Sequence, residues 1–312
     1  MHEGSKRAIF AAFLANLGIA IAKFVGFLIT GASSMLAESI HSLADTTNQG
    51  LLFHGGRQAA RPATPEHPFG YGRDRYFWSF VVALVLFSIG GLFAVYEGVD
   101  KLRHPHDIDS PAVAFVILGV AVVLEAFSLR TAIRESNHVR GSLGWTAFVR
   151  RSKSPELPVV LLEDLGALFG LFFAITGLTL AVTLDEPRWD GVATIAIGVL
   201  LVTIAVILVV EMKSLLIGES ASGEQQRAIL GAIEETPGVR RLIHMRTLHL
   251  GPDELLVAAK VELAGSLSVR EVADTIDAAE ARVRAAVPIA RVIYLEPDLF
   301  EAGDATPEPE PA

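Results

Sequence analysis

The sequence predicts an α-helical membrane protein with six transmembrane helices, followed by a small C-terminal α/β domain of element order α-β-β-α-β. The first observation is composition, because 51% of the 312 residues are hydrophobic and the mean hydropathy of +0.46 is above that of an ordinary soluble domain. The second is a series of six apolar runs, each with about the twenty residues that a helix needs to cross ~30 Å of hydrocarbon. The third is a change near Gly218, after which the apolar runs shorten and charged residues alternate with them.

The six apolar runs can be placed directly on the chain. They cover residues 8–30, 33–56, 77–100, 111–133, 157–184 and 189–211. The second run is the least apolar, as expected for a helix that faces a polar cavity instead of lipid. The first run is too long for the apolar part of a signal peptide and has no small-residue cleavage site, so we expect no cleaved signal. The chain has no cysteine, which excludes disulfides and thiolate metal ligands.

Basic residues are concentrated in alternate loops. On one side of the membrane they precede the first run, fill two loops and follow the sixth run: Lys6, Arg7, Arg57, Arg61, Arg73, Arg75, Arg134, Arg140, Arg150, Arg151, Lys153 and Lys213. The other side has only Lys101, Arg103 and Arg188. The positive-inside rule therefore predicts a multi-pass protein with both termini in the cytoplasm, and we expect it in the cell (inner) membrane. The net charge of −9 lies mainly in the C-terminal third and does not indicate a nucleic-acid partner.

The C-terminal third has the pattern of a two-layer domain. Its predicted elements are a helix over 222–235, strands over 240–250 and 254–264, a helix over 267–286 and a strand over 291–296. Ser268 and Glu271 predict a capping box at the start of the second helix. The predicted organisation is a transmembrane domain over 1–217, a cytoplasmic domain over 218–300 and a disordered tail over 301–312.

Ionisable side chains occur inside two of the membrane-length runs. They are Glu38, His41 and Asp45 in the second run, with Gln49 one turn later, and the adjacent pair Glu163 and Asp164 in the fifth. His41 and Asp45 are four residues apart and therefore share one helix face. Ionisable residues at membrane depth are expensive and usually face a partner or a pathway. Because imidazole with carboxylates is a ligand set for zinc and similar divalent ions, these residues predict an ion site within the membrane.

The whole chain, from residue 6 to about residue 300, resembles the cation diffusion facilitators. The motifs that carry the resemblance are His41-Ser-Leu-Ala-Asp45, His67-Pro-Phe-Gly-Tyr-Gly-Arg73, Asp164, Gly251-Pro-Asp and Glu296-Pro-Asp298. The segment Leu157-Pro-Val-Val-Leu-Leu-Glu-Asp164 is similar to one branch of that family, which includes a mitochondrial zinc transporter of animals. The resemblance implies a metal/proton antiporter with six helices and a cytoplasmic ferredoxin-like domain that forms a homodimer.

The resemblance also implies ligands for the transported ion. His41, Asp45 and Asp164 match ligand positions of the family, but the residue one turn before Asp164, usually His or Asp, is Val160. Glu163 is the natural substitute, although it lies about 100° round the helix from Asp164. Two further candidates are Gln49 and Glu125. A more oxygen-rich ligand set would shift selectivity toward manganese or iron, with zinc as the favoured substrate.

These features together predict a proton-coupled exporter of divalent metal cations, which is not an enzyme and needs no cofactor besides the metal ion that it carries. Its predicted partners are metal ions, protons, the lipid bilayer and a second copy of the chain. A membrane-bound metal sensor or scaffold without transport stays open, because Val160 removes one ligand. An intramembrane metalloprotease is disfavoured since the sequence has no H-E-x-x-H segment, and a phosphate-binding loop for ATP is absent too.

Three of the site residues also have a structural interpretation. His41 and Asp45 could form a hydrogen-bonded pair that bridges helices, and Glu163 could bind a basic residue such as Lys23 of the first run. In these alternatives the ionisable residues hold the helices together and bind no metal.

In the C-terminal domain, the zinc-ligand positions of the resembled family have lost their ligands. They hold Ile243, Lys260 and Tyr294 here, and only Glu296 keeps a possible ligand. We therefore expect this domain to dimerise by packing alone, without bound metal.

Overall fold

The structure is a computed structural model that describes the backbone of residues 3–300 and the side chains of residues 16–300. Its helices and strands fall into two compact units. Among the described residues, the helical unit contains the chain up to Arg57 and Arg75–Lys213, and the α/β unit contains Gln58–Asp74 and Ser214–Phe300. The predicted domain division after residue 217 stays a prediction, and the predicted disordered tail lies outside the described residues.

The helical unit is built from helices of different lengths. They are α1 (Glu3–Thr30), α2 (Ser33–Ala59), α3 (Asp74–Val85), α4 (Phe93–Arg103), α5 (Pro111–Arg140), α6 (Trp145–Arg151), α7 (Glu156–Thr183) and α8 (Arg188–Ile217). A π-helical segment, Leu86–Leu92, joins α3 and α4 into one stretch of 30 residues. The described part of the chain thus has six helical stretches of 27–30 residues.

Most of these helical stretches are both long enough and apolar enough to cross a membrane. Within the described residues, four are long and apolar enough to cross a membrane: Asp74–Arg103, Pro111–Arg140, Glu156–Thr183 and Arg188–Ile217. Helix α1 contributes the shorter apolar segment Asn16–Thr30. Helix α2 is less apolar because it buries polar side chains such as Glu38, His41 and Asn48. The predicted six-helix membrane fold is confirmed, and the polarity of its second span comes from buried side chains.

Some helix boundaries differ from the prediction. Helices α5 and α8 continue past the apolar runs, to Arg140 and Ile217. Arg, Glu and Lys are good helix formers, so a helix can continue where hydropathy falls. The short helix α6 was not predicted, and its buried Phe148 packs with Ala132 and Leu161. That contact depends on tertiary packing, which a hydropathy pattern does not reveal.

Glycines bring α4 and α8 into backbone contact. A Cβ atom at Gly98 would lie 2.7 Å from the carbonyl oxygen of Gly191, and one at Gly198 would lie 2.7 Å from the amide nitrogen of Val95. Gly191 and Gly198 are seven residues apart in α8 and therefore share one helix face. Gly91, in the π-helical segment before α4, also approaches α8, because a Cβ atom there would lie 3.3 Å from the carbonyl oxygen of Gly198. Small residues allow membrane helices to approach closely. The α4 and α8 helices therefore form a tightly packed pair.

The beginning of α2 is fixed by a carboxylate of α8. The backbone N–H of Ser33 donates to Asp190 Oδ2 at 2.6 Å, and the N–H of Ser34 donates to Oδ1 at 3.3 Å. The Ser34 hydroxyl also donates to Oδ1, and all three residues are fully buried. The first N–H groups of a helix have no partner within that helix. Asp190 satisfies two of them and thereby fixes the helix that carries His41 and Asp45.

The α/β unit contains the C-terminal domain. Its elements are α9 (Gly223–Glu234), β1 (Val239–Gly251), β2 (Glu254–Leu263), α10 (Val269–Ala286) and β3 (Ala290–Pro297). Strand β2 lies in the centre of the sheet, antiparallel to β1 and parallel to β3. The predicted capping box of Ser268 and Glu271 is present at the start of α10. The predicted α-β-β-α-β order is therefore confirmed.

The segment Gln58–Asp74, which includes the loop after α2, belongs to the α/β unit. A Cβ atom at Gly72 would lie 2.7 Å from the carbonyl oxygen of Leu250, near the end of β1. Glycine permits this approach because it has no side chain. The loop that follows α2 therefore packs on the end of the first strand.

Candidate metal site

His41 and Asp45 lie on successive turns of α2, as their spacing predicts. The distance from His41 Nε2 to Asp45 Oδ2 is 3.5 Å, which is long for a hydrogen bond. Among the residues that the structure describes, neither ring nitrogen of His41 nor Oδ1 of Asp45 has a hydrogen-bond partner, although His41 is fully buried. Buried polar atoms are nearly always paired. These atoms therefore suit a cation site better than a structural hydrogen-bonded pair.

Each of the two adjacent carboxylates of α7 is held by a neutral side chain from another helix. Asn48 of α2 donates from Nδ2 to Glu163 Oε1 at 2.6 Å. Ser128 of α5 donates from Oγ to Asp164 Oδ2 at 2.9 Å. Neither donor carries a charge, so these contacts orient the carboxylates without neutralising them.

A small polar cavity collects most of the predicted ligands. Its lining residues are Asn16, Ser42, Asp45, Gln49, Glu125, Val160, Glu163 and Asp164. Three of the four predicted ligands are present, with the two further candidates Gln49 and Glu125. His41 is next to Asp45 but is not a lining residue. Val160 lines the cavity one turn before Asp164 and has no ligand atom in its side chain.

The arrangement is not a closed metal site. Among the described residues, no group of three or more His, Asp and Glu side chains could hold a metal ion as placed. Asp45 comes from α2 whereas Glu163 and Asp164 come from α7, so a small relative movement of the two helices would change their separation. The assignment of His41, Asp45, Glu163 and Asp164 as metal ligands stays a prediction.

Lys23 binds Glu38 and not Glu163. Its Nζ lies 2.9 Å from Glu38 Oε2 and donates to Ser42 Oγ at 2.8 Å. The alternative interpretation, in which Lys23 binds Glu163, is wrong. The physical reason is that α1 packs on the side of α2 that carries Glu38. Glu163 instead accepts its hydrogen bond from Asn48 of α2.

Asn48 and Ser128 are two site residues that sequence reasoning missed. Asn48 lies three residues after Asp45 and seven after His41, so it shares their helix face. That spacing is a signal that could have identified it. Ser128 has no comparable signal, because its contact depends on how α5 packs against α7.

In the C-terminal domain, Lys260 occupies one of the positions that correspond to zinc ligands in the resembled family. Lys260 Nζ lies 2.6 Å from Asp298 Oδ2 and 3.7 Å from Glu296 Oε1. The hydrogen bond from Lys260, followed by one from the backbone N–H of Leu299, lowers the pKa of Asp298 below its usual value. His244 lies opposite Lys260 on β1. The positive charge of Lys260 disfavours a second cation at this place.

Two family models match most of the chain. Residues 9–217 match the cation efflux transmembrane domain, and residues 221–298 match the cytoplasmic domain of cation efflux proteins. The chain belongs to the cation efflux family. This finding confirms the resemblance that the motifs indicated, and the second match falls on the α-β-β-α-β domain.

Several known proteins are similar in sequence to this cation efflux protein. The mitochondrial proton-coupled zinc antiporter SLC30A9 of Homo sapiens is 30% identical over 270 residues, which is 86% of this chain and 48% of the relative. Its Mus musculus counterpart gives the same values. The magnetosome protein MamM of Paramagnetospirillum magneticum is 26% identical over 291 residues, which is 91% of this chain and 84% of the relative. The chain thus spans about half the length of the zinc antiporters that it matches.

Proposed function

We propose that this chain moves divalent metal cations, zinc first among them, out of the cytoplasm in exchange for protons. The observation that carries the proposal is the cavity at which α2 and α7 bring Asp45, Glu163 and Asp164 together. His41 supports it, since its Nε2 lies 3.5 Å from Asp45 Oδ2. Carboxylates are expensive at membrane depth, and like charges that share a site oppose one another. A cation within the cavity would relieve both costs.

The ligand types couple metal binding to protons. Imidazole and carboxylate groups bind a metal only after they lose their protons, so an entering metal displaces protons from the cavity. If the cavity opens alternately to each side, a more acidic exterior protonates the ligands and releases the metal outward. The SLC30A9 relatives are named proton-coupled zinc antiporters, which supports both zinc and proton coupling. The cycle needs no ATP and no resident cofactor.

Manganese or iron as the main substrate is a second candidate, favoured by the oxygen-rich lining. Four carboxylates line the cavity, from Asp45, Glu125, Glu163 and Asp164, with the amide of Gln49 beside them. Such a set suits manganese, whereas zinc accepts both nitrogen and oxygen ligands in a tetrahedral arrangement. Competition between metals in a flux measurement separates these substrates.

A membrane-bound metal sensor or scaffold is the alternative without transport. Val160 favours it, because the position one turn before Asp164 offers no ligand. A sensor would bind metal without moving it across the membrane. Binding together with zero flux would therefore support the sensor and contradict the exporter.

We further propose that the chain forms a homodimer in the cell (inner) membrane with both termini in the cytoplasm. The asymmetry of basic residues between the loops supports this orientation. Because the chain has no cysteine, single cysteines can test it. Asp107→Cys, in the exposed loop after α4, should react with an impermeant reagent on intact cells, whereas Ser142→Cys, in the exposed loop after α5, should react only after lysis.

Metal uptake by sealed proteoliposomes with an acidic interior tests the transport proposal. Zinc should accumulate inside, and accumulation should stop when nigericin collapses the pH gradient. Glu163→Gln should lower the affinity or shift the metal preference without abolishing flux. Glu135→Gln is the matched control, because it neutralises an exposed carboxylate of α5 and should behave as the wild type does.

A further inference from the structure

Asn48 is a fully buried amide directly behind the candidate metal site. Its Nδ2 donates to Glu163 Oε1 at 2.6 Å, and its exposed fraction is 0%. It is not among the residues that line the cavity, whereas Glu163 is. Asn48 would therefore act on a cation bound in the cavity through Glu163.

Glu163 is the predicted ligand whose carboxylate must be oriented toward the cavity by another residue. It lies about 100° round α7 from Asp164, because the two residues are consecutive in a helix. The position that would share the face of Asp164, one turn earlier, is Val160. The hydrogen bond from Asn48 turns the carboxylate toward α2, the helix that carries Asp45. It engages Oε1 and leaves Oε2 as the oxygen for a cation.

The donor to Glu163 is an uncharged amide, and this affects whether Glu163 can bind a metal ion. A lysine at this place would neutralise Glu163 and compete with the metal, but the nearby Lys23 is engaged by Glu38. Asn48 orients the carboxylate without supplying a positive charge that would compete with a metal ion. Ser128 does the same for Asp164, so both carboxylates of α7 are fixed by neutral donors.

We propose that Asn48 is a positioning residue that sets the metal selectivity of the site by holding Glu163 as a one-oxygen ligand. The proposal rests on the proposed function, in which a metal ion binds among Asp45, Glu163 and Asp164. Zinc is satisfied by four ligands, each of which can be a single oxygen or nitrogen. Larger cations with higher coordination numbers gain from a carboxylate that supplies both oxygens. Releasing Glu163 from Asn48 therefore favours manganese over zinc.

Binding of zinc and manganese to the full chain in lipid nanodiscs tests the proposal without relying on transport. Asn48→Leu removes the donor and keeps a side chain that branches at Cγ, and it should raise the manganese-to-zinc affinity ratio about fivefold, as expected for the loss of one hydrogen bond. Asn48→Ser is a second variant in case leucine prevents folding. A serine hydroxyl can donate to its own helix, as the hydroxyl of Thr46 does to the Ser42 carbonyl oxygen at 2.8 Å, but it is too short to reach Glu163.

A double-mutant cycle separates positioning from a general packing effect. In a Glu163→Leu background, Asn48→Leu should leave the metal ratio unchanged, because the carboxylate that it acts on is absent. Thr194→Val is the matched control, since Thr194 is buried in α8 and its hydroxyl donates only to its own helix. This control should keep the wild-type ratio.

The outcomes distinguish this proposal from the proposed function. If Asp164→Asn loses both metals while Asn48→Leu and Asn48→Ser keep the wild-type ratio, the role of Asn48 is wrong and the metal site stands. A ratio that changes equally with and without Glu163 also overturns the role of Asn48. If Asp164→Asn binds both metals as the wild type does, the site itself is wrong and this proposal fails with it.

Discussion

Lys23 and Glu38 form a buried ion pair, with Nζ 2.9 Å from Oε2 and both side chains at 0% exposure. The pair joins α1 to α2 one turn before His41. A Cβ atom at Gly170 of α7 would overlap Glu38 Oε1, so the carboxylate also packs closely against a third helix. The ion pair is therefore a junction of three helices beside the candidate metal site.

Lys23→Met should destabilise the protein strongly. It leaves the Glu38 carboxylate buried without its partner, which costs about 3–5 kcal/mol, whereas replacing both partners of a buried pair costs much less. Thermal unfolding in detergent, followed by tryptophan fluorescence, should therefore rank the wild type first, Lys23→Met/Glu38→Gln second and Lys23→Met last. Equal unfolding temperatures for the single and double variants would contradict the role of the pair.

Gly98→Ala should separate α4 from α8. The new methyl group would meet the backbone of Gly191 at 2.7 Å, and overpacking against backbone typically costs about 1–3 kcal/mol. The control is Gly119→Ala in α5, where a Cβ atom would have no neighbour within 4 Å. A lower unfolding temperature for Gly98→Ala alone is the expected result, and an equal effect of both substitutions would refute the close helix contact.

Removing zinc should leave the C-terminal domain unchanged. Lys260 already supplies a positive charge between Glu296 and Asp298, and the buried residues of β2, which include Leu255, Val257 and Val261, supply an apolar core. A fragment of residues 218–300 should therefore unfold at the same temperature with and without a chelator. A large fall with chelator that zinc reverses would reveal a metal site at His244 or Glu296.

The Asp298 carboxylate should make the domain weakly sensitive to acid. Its pKa is lowered by the hydrogen bond from Lys260 and then by that from the Leu299 N–H. A group with a lowered folded-state pKa contributes stability above its unfolded value, near 4, and loses it as the pH falls through the folded value. Carboxyl NMR titration should give Asp298 a pKa below that of an ordinary aspartate, and Lys260→Met should raise it. An unchanged titration curve in that variant would contradict the assigned cause.

The sequence predicted what depends on local pattern, and it missed what depends on helix packing. Hydropathy predicted the six long helical stretches, four of which are clearly apolar enough to cross a membrane within the described residues, and the capping box of Ser268 marked the start of α10. Helical spacing placed His41 and Asp45 on one face. The partner of Lys23 could not be predicted, because Glu38 and Glu163 are both reachable from a membrane helix until the orientation of α1 is known. The same holds for the contact between Asn48 and Glu163, which lie on helices that are distant in sequence.

Zinc flux in the Asp164→Asn variant shows whether Asp164 binds the transported ion, because asparagine keeps the shape of the side chain and removes its charge. The measurement compares wild type, Asp164→Asn and Asp45→Asn in sealed proteoliposomes with an acidic interior, after each is shown to unfold near the wild-type temperature. We expect zinc accumulation driven by the pH gradient in the wild type and none in either variant. Undiminished flux in a folded Asp164→Asn or Asp45→Asn protein would contradict the assignment of these carboxylates as ligands of the transported ion.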